Sequence, residues 1–159
     1  MTFAQSTPQA LVFHQTDRAQ GPEGIALRQS LEGAIATRDL EDRGQNILQR
    51  VLAALHRASD EHGVQTSPEA TSRVLGLLAE LPHSVPLPDV VVESESELGL
   101  DWDEGSRRVV SLTVRDNPMV GYSALLGAEP LYGRVPFLGE VPETIRFLLG
   151  RLYAQRLGR

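Results

Sequence analysis

The chain has no cysteine. Disulfides, thiolate catalysis and cysteine-ligated zinc are therefore excluded. It also has no lysine, and all 15 basic residues are arginine. That removes a Schiff-base lysine, a P-loop lysine and a Ser-Lys dyad. Aromatic residues make up only 5% of the chain, with a single tryptophan, Trp102. No apolar run approaches the roughly 18 residues that a membrane-spanning helix needs. The first twenty residues have neither a basic start nor a long apolar centre, so no signal peptide is expected and a cytoplasmic location follows as the default.

What is present suits one globular domain. The chain has 159 residues, 41% hydrophobic and 23% charged. That length buries a real core without covalent staples. The formal net charge is −6. An acidic chain is a poor general binder of nucleic acid, because such binding rests on neutralising phosphates.

Residues 1–20 read as a flexible arm, and 21–159 as a single α+β domain. Its helical part is 21–82. Gly21-Pro22-Glu23 looks like a helix start, with proline in the first turn. The charged stretch 38–44 interrupts the apolar pattern, so a second helix is expected from Asn46. Ile47, Leu48, Val51, Leu52 and Leu55 would form its buried face. Gly63 suits the C-terminal cap of that helix. Ser67-Pro68-Glu69 opens another, with Ser67 as the capping residue. Val74, Leu75, Leu77, Leu78 and Leu81 make its apolar face, and Pro82 ends it.

The period changes from helix to strand in the part 88–159. Short alternating runs separated by turns predict about five strands in an antiparallel meander. A final helix follows Pro142, with Val141, Ile145, Leu148, Leu149 and Leu152 on one face. Amphipathic helices would cover one face of the sheet.

The stretch "GLDWDEGSRR" (99–108) poses a choice between a site and a hairpin tip. Leu98, Leu100 and Trp102 on one strand and Val110, Leu112 and Val114 on the next are all even-numbered. They share a face only if the loop has an odd number of residues. A three-residue loop, Asp103-Glu104-Gly105, is expected. Asp101 would then face Arg107, Trp102 would face Ser106, and Arg108 would lie diagonal to the indole. Asp103 would accept backbone N–H groups in the turn. Trp102 becomes a core anchor rather than part of an active site.

The span 58–152 resembles a large family of small bacterial proteins of uncharacterised function. The likeness rests on "SDEHGVQTSPEATSRVLGLLAELP", "PLPDV", "ELGLDWDEGSRRVVSLTV", "GYSALLG" and "YGRVPFLGEVPETIRFLLGRL". The family commonly carries a Trp-Asp-Gly-Tyr-like segment before the helix that starts near Ser67. Here only Asp60 and Gly63 echo it. The resemblance implies the same helix, meander and C-terminal helix, and it implies no reaction.

Four constellations bear on function. His56, Asp60 and His62 have a generic spacing for a metal, but no HExxH pattern accompanies them. Glu93, Glu95 and Glu97 read as a solvated turn. Residues 141–159 carry Arg146, Arg151, Arg156 and Arg159 against one glutamate. Their place in a C-terminal helix suits its dipole, and no nucleic-acid-binding motif accompanies them. Asp101 and Glu104 form an acidic hairpin tip. No nucleophile motif is found.

The expectation is a non-enzymatic interaction or accessory protein, inhibitor-like or antitoxin-like, from a bacterial gene pair. Its partner would be another protein, and no cofactor, metal, nucleic acid or membrane is assigned. Asp101, Glu104, Arg146 and Arg151 are the candidate partner contacts, and the first helices, about residues 22–58, which lie outside the resemblance, are the expected partner-binding part. The alternatives are a small metal-dependent hydrolase and a nucleic-acid-associated regulator.

Overall fold

The computed structural model describes residues 22–105, 107–128 and 130–154, with side chains from residue 25 onward. The expected arm at 1–20 lies outside the described residues, as do Arg156 and Arg159. The chain groups into two units, 1–40 and 41–159.

Helix α1 spans Pro22–His62. The expected break at 38–44 does not occur. Arg, Leu, Glu and Asp all continue a helix at modest cost, and a single Gly44 costs only about 1 kcal/mol relative to alanine. The helix closes at Gly63, whose φ of +65° is left-handed. There the Gly63 N–H donates to Ser59 O and the Val64 N–H to Ala58 O. That is the closure in which glycine satisfies the last carbonyls.

In the first unit, every side chain from 25 to 40 is exposed. In the second unit, Ile47, Val51, Ala54 and Ala58 are the buried residues of α1. Leu48 and Leu52 are exposed, which corrects the expected buried face. The inward set follows i, i+4, i+7, i+11, and Leu48 and Leu52 lie beside that stripe rather than on it.

Helix α2 (Pro68–Glu80) begins as expected, with Ser67 Oγ accepting from the Ala70 N–H at 3.1 Å. Ala70, Val74, Leu77 and Leu78 are buried along it. Then come β1 (Asp89–Ser94), β2 (Glu97–Asp103), β3 (Arg108–Arg115), β4 (Met119–Leu126) and β5 (Pro130–Pro136), paired antiparallel in sequence order. Helix α3 (Glu143–Tyr153) follows. The fold is α+β.

One face of the sheet is covered. Leu98, Leu100, Trp102, Val110, Leu112, Val114, Val120 and Ala124 are buried there. Helix α2 packs on β2 and β3, and α3 packs on β3 and β4. The other face has no cover among the described residues. Antiparallel sheets accept this, because alternation supplies a polar side.

The proline-rich connection 82–88 is held by side chains. Arg43 donates to Val85 O at 3.2 Å, Arg50 to Pro88 O at 3.0 Å, and Trp102 Nε1 to Pro86 O at 2.8 Å. Prolines lack an N–H and build no ladder of their own. Their carbonyls still need donors when part-buried.

Candidate interaction surface

The hairpin at residues 103–108 keeps the expected parity and changes its register. Trp102 faces Val110, Leu100 faces Leu112 and Leu98 faces Val114. The expected register set Leu100 against Arg108 and Trp102 against Ser106. The observed one pairs apolar with apolar at three successive inward positions, and cross-strand packing favours it. Beyond the last ladder pair, the Glu104 N–H donates to Arg108 O and the Arg108 N–H to Gly105 O. Gly105 and Arg107 both have positive φ. Asp103 Oδ1 accepts the Gly105 N–H at 2.7 Å, as the turn reading anticipated.

Two contacts expected here are replaced. Asp101 stands opposite Ser111 and Asp89, so its pairing with Arg107 is not formed. Arg108 does not lie against the indole as expected. Its guanidinium donates to Arg151 O at 2.7 Å and to Leu152 O. It thereby binds carbonyls of the last turn of α3, at the negative end of that helix.

On the uncovered face, β1 and β2 present an acidic strip. Glu93 lies across Gly99, and Asp89 faces Asp101. Glu97 is bridged by Arg115 on β3, its direct cross-strand partner. Arg50 approaches Asp89 at 3.8 Å. Partial burial, then Glu97 and Asp101, push the Glu93 carboxyl above the usual carboxylate range, and Arg115 opposes this. Beside the strip, β3–β5 form a shallow groove of about 430 Å³. Thr113, Arg115, Ser123, Tyr132 and Arg134 line it over Gly121. It offers hydroxyls and guanidinium groups, and no histidine or carboxylate lines it to act as a general base.

The sequence candidates do not form one patch. Asp101 lies on the uncovered face. Arg146 and Arg151 belong to the helix on the covered side, both exposed. The Arg151 guanidinium stands 5.8 Å from the ring centroid of exposed Phe147, within cation–π range. Glu104 sits at the hairpin end. His56 lines a shallow depression with Leu52, Leu55 and Val64. Among the described residues, no three His, Asp or Glu side chains gather as a metal-ligand set, so His56, Asp60 and His62 are not brought together. No helix of the described residues is long and apolar enough to cross a membrane.

The stretch expected to bind the partner, about residues 22–58, falls on α1, and its exposed apolar side chains are the part that sequence reasoning did not single out. Ile25, Leu27, Leu31, Ile35 and Leu40 are exposed in its first half, and Leu48 and Leu52 in its second. In the second unit, Leu48 and Leu52 were expected inward because their helix was expected to begin at Asn46.

Comparisons with protein-family models, curated proteins and solved structures return no match for this chain.

Proposed function

We propose that this chain is a non-enzymatic protein-interaction protein, an accessory or inhibitor-like partner whose working surface includes α1. A cytoplasmic setting and a place in a bacterial gene pair are part of the proposal. The observation that carries it is the first half of α1, where residues 25–40 are exposed yet include five large apolar side chains. Helices in proteins draw most of their stability from packing an apolar face, and no side chain of residues 25–40 is buried. Leu27, Leu31 and Ile35 recur every fourth residue and so share one side of the helix, and an exposed apolar row on a folded protein is a mark of a binding surface. The acidic strip at Asp89, Glu93 and Asp101 adds a second polarised region that would select against acidic partners.

The test is native mass spectrometry of the chain purified at its natural abundance. The expected result is a stoichiometric complex, lost on Leu31→Glu while Trp102 emission keeps its native wavelength. A stable monomer overturns the proposal.

A further inference from the structure

We infer that β5 is an edge on which a second copy of this chain docks, pairing β5 with β5 about a two-fold axis at Gly133. The inference is independent of the α1 surface and uses the second unit alone.

The sheet ends at β5, and no strand lies beyond it among the described residues. The ladder shows which of its backbone groups are free. The Phe137 N–H donates to Pro118 O at 2.8 Å, one step past the Met119–Pro136 pair. In an antiparallel strand the N–H and C=O of one residue point to the same side, and the side alternates along the chain. Leu131, Gly133 and Val135 therefore bond to β4, while Tyr132 and Arg134 turn their groups outward. Pro130 and Pro136 belong to the outward set, where a missing N–H costs no ladder bond. The free template is thus Tyr132 and Arg134, with a proline at each end. The opposite edge, β1, is defended by an irregular register between Val92 and Ser94 and by Asp89 and Glu93.

The prolines and the charges leave one symmetric register. If Tyr132 faced its own copy, Arg134 would face Pro130, which has no N–H to give. If Arg134 faced its own copy, Tyr132 would face Pro136 and two guanidinium groups would meet. With Tyr132 opposite Arg134 of the other copy, every outward N–H finds a carbonyl, and four hydrogen bonds form. The side chains suit that register. On the uncovered face each Tyr132 ring, 80% exposed, lies beside a guanidinium in a cation–π pair. On the helix side Leu131, 40% exposed, stands opposite half-buried Val135, apolar against apolar. Gly133 meets Gly133 at the axis and brings no side chain there. The pairing closes on itself and continues the sheet across both copies.

The experiment uses the full chain, with Trp102 emission and circular dichroism as checks of folding. Sedimentation equilibrium should show a dimer. Arg134→Pro removes one outward N–H from each copy, at a position as harmless to the chain's own sheet as Pro136. It should raise the dimer Kd about tenfold, and Arg134→Ala, which keeps the N–H, should raise it less. The chain has no cysteine of its own, so introduced thiols read the register. Residues 131 and 135 of opposite copies would be a non-hydrogen-bonded pair with Cα atoms about 4.5 Å apart, within disulfide reach. Within one chain they are about 13 Å apart, beyond it. Leu131→Cys/Val135→Cys should give a disulfide-linked dimer under mild oxidation, as should an equimolar mixture of the two single variants. Neither single variant alone should. A monomeric wild type, a dimer indifferent to Arg134→Pro, or cross-linking as strong in a single variant overturns the inference. Leu31→Glu should leave this dimer intact, which separates it from a complex formed through α1.

Discussion

The indole Nε1–H of Trp102 donates to the carbonyl oxygen of Pro86 at 2.8 Å. A strand residue thereby fixes the proline-rich connection between α2 and the sheet. The ring itself is buried beneath the helices. Trp102→Ala should cost about 3–5 kcal/mol, as aromatic truncations in cores do. Trp102→Phe keeps most of the apolar area and removes the donor, so about 1–3 kcal/mol is expected from an unpaired part-buried carbonyl. Urea titration followed by circular dichroism measures both.

Arg108 ties the hairpin to the end of α3 by donating to the carbonyls of Arg151 and Leu152. Arg108→Gln removes the charge that sits at the negative helix end. The expected loss is about 1–2 kcal/mol. Amide exchange should accelerate in the last turn of α3 before it does in β3. An unchanged exchange pattern would show that the contact contributes nothing.

Gly133 lies beneath the Tyr122 ring. A Cβ at position 133 would fall 2.7 Å from Tyr122 Cζ, so Gly133→Ala must displace a rigid ring that packs against the core. Destabilisation of about 1–3 kcal/mol is expected, as for overpacking elsewhere. In a Tyr122→Ala background the same substitution should cost far less. A double-mutant cycle reads that difference directly.

Glu93 gives the acidic strip a pH signature. Its pKa is raised by partial burial, then by Glu97 and Asp101, against Arg115. The folded chain therefore holds this proton more tightly than the unfolded chain does. The stability from Glu93 is fully present below its unfolded pKa and is lost as pH rises through the raised value. Glu93→Gln should be more stable than wild type at neutral pH, with the gap closing towards about pH 4. Because the side chain is largely solvated, screening limits the gain to about 0.5 kcal/mol. Thermal melts across pH test the sign. A variant that is less stable at neutral pH would contradict it.

Local rules were legible where a residue's own neighbours decide the outcome. Ser67 caps α2, Gly63 closes α1 and Asp103 opens its turn because each acts on backbone groups within a few residues. The apolar faces of α2 and α3 followed from spacing alone. The candidate contacts were less legible. Asp101 and Arg107 looked like partners only under a register that long-range packing did not select. Leu48 and Leu52 looked buried because their helix seemed to begin at Asn46.

The sequence by itself determined the α+β class, the five-strand meander, the parity that turns Trp102 inward, and the exclusion of thiol and lysine chemistry. These depend on periodicity, turn residues and the presence or absence of side-chain types, all readable without a fold. Tertiary structure decided which even-numbered residue faces Trp102 and which carbonyls Arg43, Arg50 and Arg108 serve. It also decided which stripe of α1 the core covers. The physical reason is common to all three. Parity constrains register only to steps of two, an arginine reaches any acceptor within its length, and a helix with two adjacent apolar stripes does not say which one the core will bury.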